Sequence, residues 1–267
     1  MLRVMTWNIR TGGRDGDGHD RRDAIVEVIN AQRPDVLALQ ELRGFDAEVL
    51  AGFADRLGLR PHLARSCLGQ PVAVLVRPPL RTLAAGSLRR PFHHAAARVV
   101  LATDAGPLTV LGTHLNPYSG GWRRIEVDWL ARAVRRAAGG LVLLGGDLNA
   151  LDPATDHAGR LDRLPPAYRR RHLRRDGRTV DTRAVAVLLG AGLVDLYRAA
   201  GGPDEADGLT VPTRHGGAEF AGMRLDYLLG TPALAARTRD CRVVRGGASD
   251  HASDHYPVLA EVALDPA

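Results

Sequence analysis

The chain contains no lysine; all 36 of its basic side chains are arginine. An arginine-only chain rich in alanine and glycine suggests coding bias before it suggests function. Arginine is nonetheless the side chain that grips phosphate in bidentate fashion. Cysteine is nearly absent too, with Cys67 and Cys241 alone. Two thiols build neither a disulfide framework nor a thiolate metal cluster, and they read as ordinary free thiols of a reducing compartment. No apolar run approaches the ~18 residues that a membrane-spanning helix needs. The opening stretch MLRVMTWNIR alternates apolar and polar residues. It lacks the apolar segment and cleavage site of a secretory leader, so the cytoplasm is the expected compartment. No internal repeat is visible.

What is present reads as globular. Of 267 residues, 45% are hydrophobic and 25% charged, a composition outside the disordered range. A formal charge of +6 and a pI near 10.1 are compatible with a polyanionic partner without proving one. Short Val- and Leu-rich runs bounded by Gly, Pro or Asp predict strands over 2–9, 35–40, 72–76, 96–103, 108–115, 141–146, 225–229, 241–244 and 258–263. Helical periodicity predicts helices over 21–32, 45–57, 122–138 and 182–189. Ile25, Val28 and Ile29 give the first helix one apolar face, and Pro34 stops it. Asp-Ala-Gly-Pro at 104–107 joins two strands as a hairpin-like turn. Hairpins mixed with strand–helix units imply mixed sheets, and strands apolar on both faces imply helices covering them. The expectation is a single domain over 1–267.

Two segments break this pattern. The run TGGRDGDGHD at 11–20 has calcium-loop composition but no Glu at its far end, so it reads as a solvated loop. Residues 152–181 carry little apolar content and six arginines, at 169, 170, 171, 174, 175 and 178. They read as a basic surface insertion.

The chemistry-bearing residues gather at strand ends. Asn8 lies near the end of the first strand, and Glu41 follows Leu37-Ala38-Leu39-Gln40. His114 ends Val110-Leu111-Gly112-Thr113, and Asp147 and Asn149 follow Leu143-Leu144-Gly145-Gly146. Asp254 and His255 precede Pro257-Val258-Leu259. Strand ends of an α/β sheet form a common rim where ligands sit. Carboxylates and amides without cysteine suit a hard cation such as Mg²⁺, with Mn²⁺ or Ca²⁺ as alternatives. Mg²⁺ is usually held by one or two carboxylates plus substrate phosphate, which points to phosphoryl chemistry. Two histidines could move protons or donate to a phosphate oxygen.

Six motifs, TWNI at 6–9, PDVLALQE at 34–41, THL at 113–115, GDLNA at 146–150, RLDYLL at 224–229 and SDHYPV at 253–258, occur in one order over nearly the whole chain. Together they resemble the endonuclease/exonuclease/phosphatase superfamily, the group of DNase I, exonuclease III-type nucleases, bacterial sphingomyelinases and inositol polyphosphate phosphatases. The resemblance implies a four-layer α/β/β/α sandwich of two mixed sheets. It implies Glu41 as principal metal ligand, with Asn8 and Asp254 beside it or near a second metal position. Asp147 would orient or deprotonate the attacking water, and Asn149 would hold the phosphate. His255, paired with Asp226, would act as general acid/base or charged clamp, and His114 would act from the other side. SDH occurs twice; only the second, at 253–255, precedes an apolar run fit for the last core strand. Asp250 and His251 are therefore expected to be exposed loop residues.

Arg123, at the start of a helix, could meet phosphate or form a local salt bridge with Glu126. Asn116 could reach substrate or cap the loop before Pro117. His114 stands where the apurinic-site nuclease branch has Tyr, so the DNase I and sphingomyelinase side matches better. DNase I supports the corresponding His with a Glu; here the candidate is Gln70, which could hydrogen-bond the ring without favouring its charged form. No long hydrophobic hairpin for membrane entry is visible. The expected activity is a metal-dependent phosphodiesterase, a nuclease on DNA or RNA by virtue of the basic segment. The alternative is an enzyme of small or lipid-linked phosphates, and a non-catalytic binding module is remote. A monomer without a membrane span is expected.

Overall fold

Side-chain alternation along the strands builds the layers. The computed structural model describes residues 1–137, 139–202 and 208–267. In β4 (Val72–Val76), Val72, Val74 and Val76 join the core between two sheets, while Ala73 and Leu75 join the core under the first helices. In β8 (Leu141–Asp147), Leu141 and Leu143 face the inter-sheet core, while Val142 and Leu144 face the opposite helical layer. A period of two with apolar residues at both phases buries both faces of a strand, and each sheet is consequently covered on its outer side.

The first sheet contains β1 (Leu2–Asn8), β2 (Val36–Gln40), β3 (Arg60–Ala64) and β4, together with β11 (Thr238–Val243) and β12 (Val258–Val262). Its order is β11-β12-β1-β2-β4-β3. The second contains β5 (Thr82–Ser87), β6 (Ala95–Thr103), β7 (Gly106–His114), β8, β9 (Val194–Asp195) and β10 (Asp226–Gly230). Its order is β5-β6-β7-β8-β10-β9. Helix α1 (Arg22–Gln32) buries Ile25, Val28 and Ile29, as their spacing predicts, and α2 (Ala47–Asp55) buries Leu50, Phe53 and Ala54 beside it. Helix α3 (Gly120–Arg136) covers the second sheet, its first turn capped by the Ser119 hydroxyl accepting from Trp122 N–H. The four-layer sandwich of two mixed six-stranded sheets is thus the observed architecture. No helix among the described residues is long and apolar enough to cross a membrane.

Three strands escaped the sequence reading. β3 and β5 are sheet edges, β3 containing Pro61 and β5 exposed throughout, and β9 has two residues. Edges need no apolar face, so they leave little periodic signal. The helix expected to end at 138 ends at Arg136, and residue 138 itself lies outside the described residues. Within 152–181 the chain forms two short α-helices, α4 (Ala158–Leu161) and α5 (Pro166–Arg169), and a 3-10 turn over Arg170–His172. Arg170, Arg174, Arg175 and Arg178 are exposed there. Leu161 and Leu164 are buried with Leu151, Val211, Met223 and Leu225.

Candidate active site

Strand pairing brings the site together. β1 and β2 run parallel with Asn8 opposite Gln40, so Asn8 and Glu41 leave the first sheet side by side. β7 and β8 run parallel with His114 opposite Asp147. β10 pairs antiparallel with β8, setting Asp226 opposite Asp147. β12 pairs antiparallel with β1, with Val258 opposite Thr6, so residues 253–255 arrive beside Asn8. Both sheets therefore deliver their polar strand ends to one rim.

Asp147 is the hub. Asn8 donates its Nδ2 to Asp147 Oδ2 at 3.0 Å and to Glu41 Oε1 at 3.1 Å. The Asn149 backbone N–H donates to Asp147 Oδ1 at 2.8 Å. His114 Nε2 and His255 Nε2 lie 3.4 and 3.8 Å from Asp147 Oδ2. His255 Nδ1 donates to Asp226 Oδ2 at 2.8 Å, and Trp7 Nε1 fixes the His255 carbonyl at 2.8 Å. Ser253 Oγ donates to the Asn8 carbonyl at 2.7 Å and lies 3.2 Å from Asp254 Oδ1. Arg10 reaches Asp254 Oδ2 only at 3.7 Å. Of five non-glycine residues with positive φ among those described, four border this site: Arg10, Thr11, Glu41 and Asn149. Such strain persists where surrounding contacts over-determine it. Glu41 shows how: its Oε2 accepts from Thr11 N–H and Gln70 Nε2, each at 2.9 Å.

The charges are interlocked. Burial opposes ionisation of Asp147, but His255 and His114 outweigh it and hold the carboxyl far below its ordinary range. Burial also disfavours a charged His255, yet Asp226 and Asp147 push its pKa well up. His114 is raised in the same way, chiefly by Asp147 and then Glu41. For Glu41, the His114 charge and the Thr11 N–H overcome burial and lower it. Asp226 and Asp254 move the other way: burial raises both, aided by Asp147 and Glu41 respectively. A rim where added carboxylates resist ionisation has surplus negative charge, which a cation relieves. The Asp226 carboxylate meets the Thr210 hydroxyl as well as His255. The donor set therefore fits a hard divalent cation.

Asp147, Asp226 and His255 place one potential ligand atom each within 4.8 Å of one another. Within that group His255 Nδ1 is already engaged by Asp226 Oδ2 at 2.8 Å. Asn8 turns its Nδ2 to Glu41 and Asp147, while its Oδ1 accepts from Arg10 N–H at 3.0 Å.

Eight of the ten residues singled out from the sequence meet here: Asn8, Glu41, His114, Asp147, Asn149, Asp226, Asp254 and His255. Asp250 and His251 stay outside, Asp250 accepting from Gly246 N–H and His251 exposed. Asn116 and Arg123 form a separate support. Asn116 Oδ1 accepts from Tyr118 and Ser119 N–H groups, closing the loop. Arg123 is 1% exposed and donates to the carbonyls of Asn116 and Arg171. Burial lowers its pKa to about 10. Glu126 does not pair with Arg123; it accepts from His93 and Asn116 N–H groups. Gln70 departs from expectation, because its amide serves Glu41 and not His114. His114 is supported by His94, stacked at 3.9 Å with planes 9° apart. Burial, then His114, lowers His94 to about 2. No motif spacing flagged His94; its only signal was the His-His pair ahead of a strand.

A four-layer sandwich with carboxylates, amides and imidazoles at one rim defines a phosphoester hydrolase in architecture and donor chemistry. The sequence profile of the Endonuclease/Exonuclease/phosphatase family matches residues 5–255, and the chain belongs to that family of divalent-metal-using phosphoester hydrolases. No curated protein gives a significant match. Among solved structures, an AP endonuclease from Archaeoglobus fulgidus superposes with a TM-score of 0.73 at 20% identity, covering 98% of this chain and 100% of that one. Truncated Caenorhabditis elegans TDP2 gives 0.67 at 21% identity, covering 100% and 97%. A family protein from Leptotrichia buccalis gives 0.69 at 18%, covering 98% and 99%. At such identities the likeness shows the fold.

Proposed function

We propose that the protein is a Mg²⁺-dependent phosphodiesterase acting on nucleic acid. The observation that carries the reaction is the convergence of Asn8, Asn149, His114 and His255 on one ionised carboxylate, Asp147. Mg²⁺, held by Glu41 with Asn8 and Asp254, would neutralise charge on the phosphate oxygens; Mn²⁺ could replace it. Asp147 Oδ2 orients the attacking water and takes its proton. His255, kept cationic by Asp226, presents Nε2–H to a phosphate oxygen. His114 does the same from the second sheet. Asn149 positions the phosphate from its strained turn. Water adds its oxygen to phosphorus, the ester P–O bond breaks, and the leaving oxygen takes a proton from the imidazolium side.

Two observations support nucleic acid over small phosphates. Exposed arginines follow the GDLNA strand end. Structures of similar fold include an AP endonuclease. The test is turnover with Mg²⁺ or Mn²⁺ of plasmid, single-stranded DNA, RNA, bis-p-nitrophenyl phosphate and phosphorylated inositols. Cleavage of a nucleic acid is the expected result. Turnover confined to phosphorylated inositols would overturn it in favour of a small-phosphate enzyme.

A further inference from the structure

A line of flat groups runs from the site to the surface. His114 stacks on His94. His94 meets His93 edge-on at 4.6 Å, and His93 meets Tyr118 edge-on at 5.7 Å. The Arg171 guanidinium lies 5.3 Å from the Tyr118 ring centre and 4.7 Å from that of Tyr168. His114 and His94 are buried and His93 half-buried, but Tyr118 is 62% exposed, and Trp122, four residues on in the first turn of α3, is 37% exposed. Tyr118 also borders a cleft of about 670 Å³ lined by Arg124, Arg170, Arg174, Arg175 and Arg183. Two acids face that cleft, and both are engaged. Asp176 accepts from the N–H groups of Arg178 and Thr179 and from the Thr179 hydroxyl. Asp181 holds Arg183 through two contacts.

We propose that this ridge and cleft form the track of an unpaired nucleic-acid strand, its bases stacking on Tyr118 and Trp122 and its phosphates lying among Arg170, Arg174 and Arg175. The inference rests on the nuclease reading and narrows it to single strands. Bases of a single strand splay out and stack on exposed rings, whereas a duplex keeps its interior bases stacked on one another. Concave arginine surfaces follow a phosphate backbone. A phosphorylated inositol has no flat face and would leave the exposed rings without a role.

Binding of labelled oligo-dT and oligo-U of ~12 nucleotides, a usual site size, is measured in EDTA so that nothing is cut, beside a duplex of equal length. Wild type binds at least one single strand roughly tenfold tighter than the duplex. Tyr118→Ala removes that preference, on the order of tenfold for one lost stack, and Tyr118→Phe retains it. Arg174→Gln with Arg175→Gln lowers the slope of log K against log salt by ~0.7 per lost phosphate contact. Equal affinity of wild type for strand and duplex, or wild-type behaviour of Tyr118→Ala, overturns the track. Wild-type turnover of bis-p-nitrophenyl phosphate with Mg²⁺ is measured in parallel. If it is present while strand preference is absent, only the track fails; if it is absent, the phosphodiesterase reading itself fails.

Discussion

Asp147 ties four neighbours to one carboxylate, so its two imidazole partners are the side chains whose loss is felt first. His255→Ala and His114→Ala should each lower kcat by ~10²-fold or more, the usual size of a lost proton transfer or charge contact. His251→Ala, exposed and outside the cluster, should stay within twofold of wild type in the same assay. A collapse in His251→Ala with normal His255→Ala would instead put the working pair at Asp250 and His251. His172 offers a separate test in stability. Burial, then Arg123 and Arg171, holds its pKa down to about 3. The unfolded chain binds this proton near pH 6.5 and the folded chain does not, so stability falls as pH drops from 6.5 toward 3. Chemical denaturation of His172→Gln and wild type at pH 7 and pH 4 should show wild type losing roughly 2–3 kcal/mol more than the variant. Equal losses would refute a buried neutral His172. Asn8, Glu41, Asp147 and Asp254 were legible in the sequence because each sits at a strand end inside a motif. Gln70 was paired with the wrong residue and His94 carried no motif, since their partners depend on how loops cross the rim.

At the scale of elements, register does the positioning. The parallel β7–β8 pair sets His114 against Asp147, and a slip of one residue would turn both away. Gly146 lets that pair close: a Cβ there would lie 1.9 Å from the Thr113 carbonyl oxygen. Gly146→Ala should therefore cost at least ~1–3 kcal/mol and lower kcat, because the strand must shift beside Asp147. Unfolding and turnover measured on one preparation would check this, and an unperturbed variant would contradict the register argument. Central strands were readable from their apolar runs, and α1 and α3 from their periodicity. The edges β3 and β5 were not, because an exposed edge has no face to bury.

Across the whole molecule, surplus negative charge at the rim meets an arginine-rich exterior. Neither was apparent from net charge alone, since a balance of +6 hides where the charges lie. The central claim is that the carboxylate rim works only with a divalent cation. Its most direct test is the rate of bis-p-nitrophenyl phosphate hydrolysis by wild type and Glu41→Ala, first in excess EDTA and then across a Mg²⁺ or Mn²⁺ titration. No turnover in EDTA, recovery on titration in wild type, and a titration midpoint moved at least tenfold higher in Glu41→Ala are expected. Full turnover in EDTA, or identical titrations for the two proteins, would contradict it.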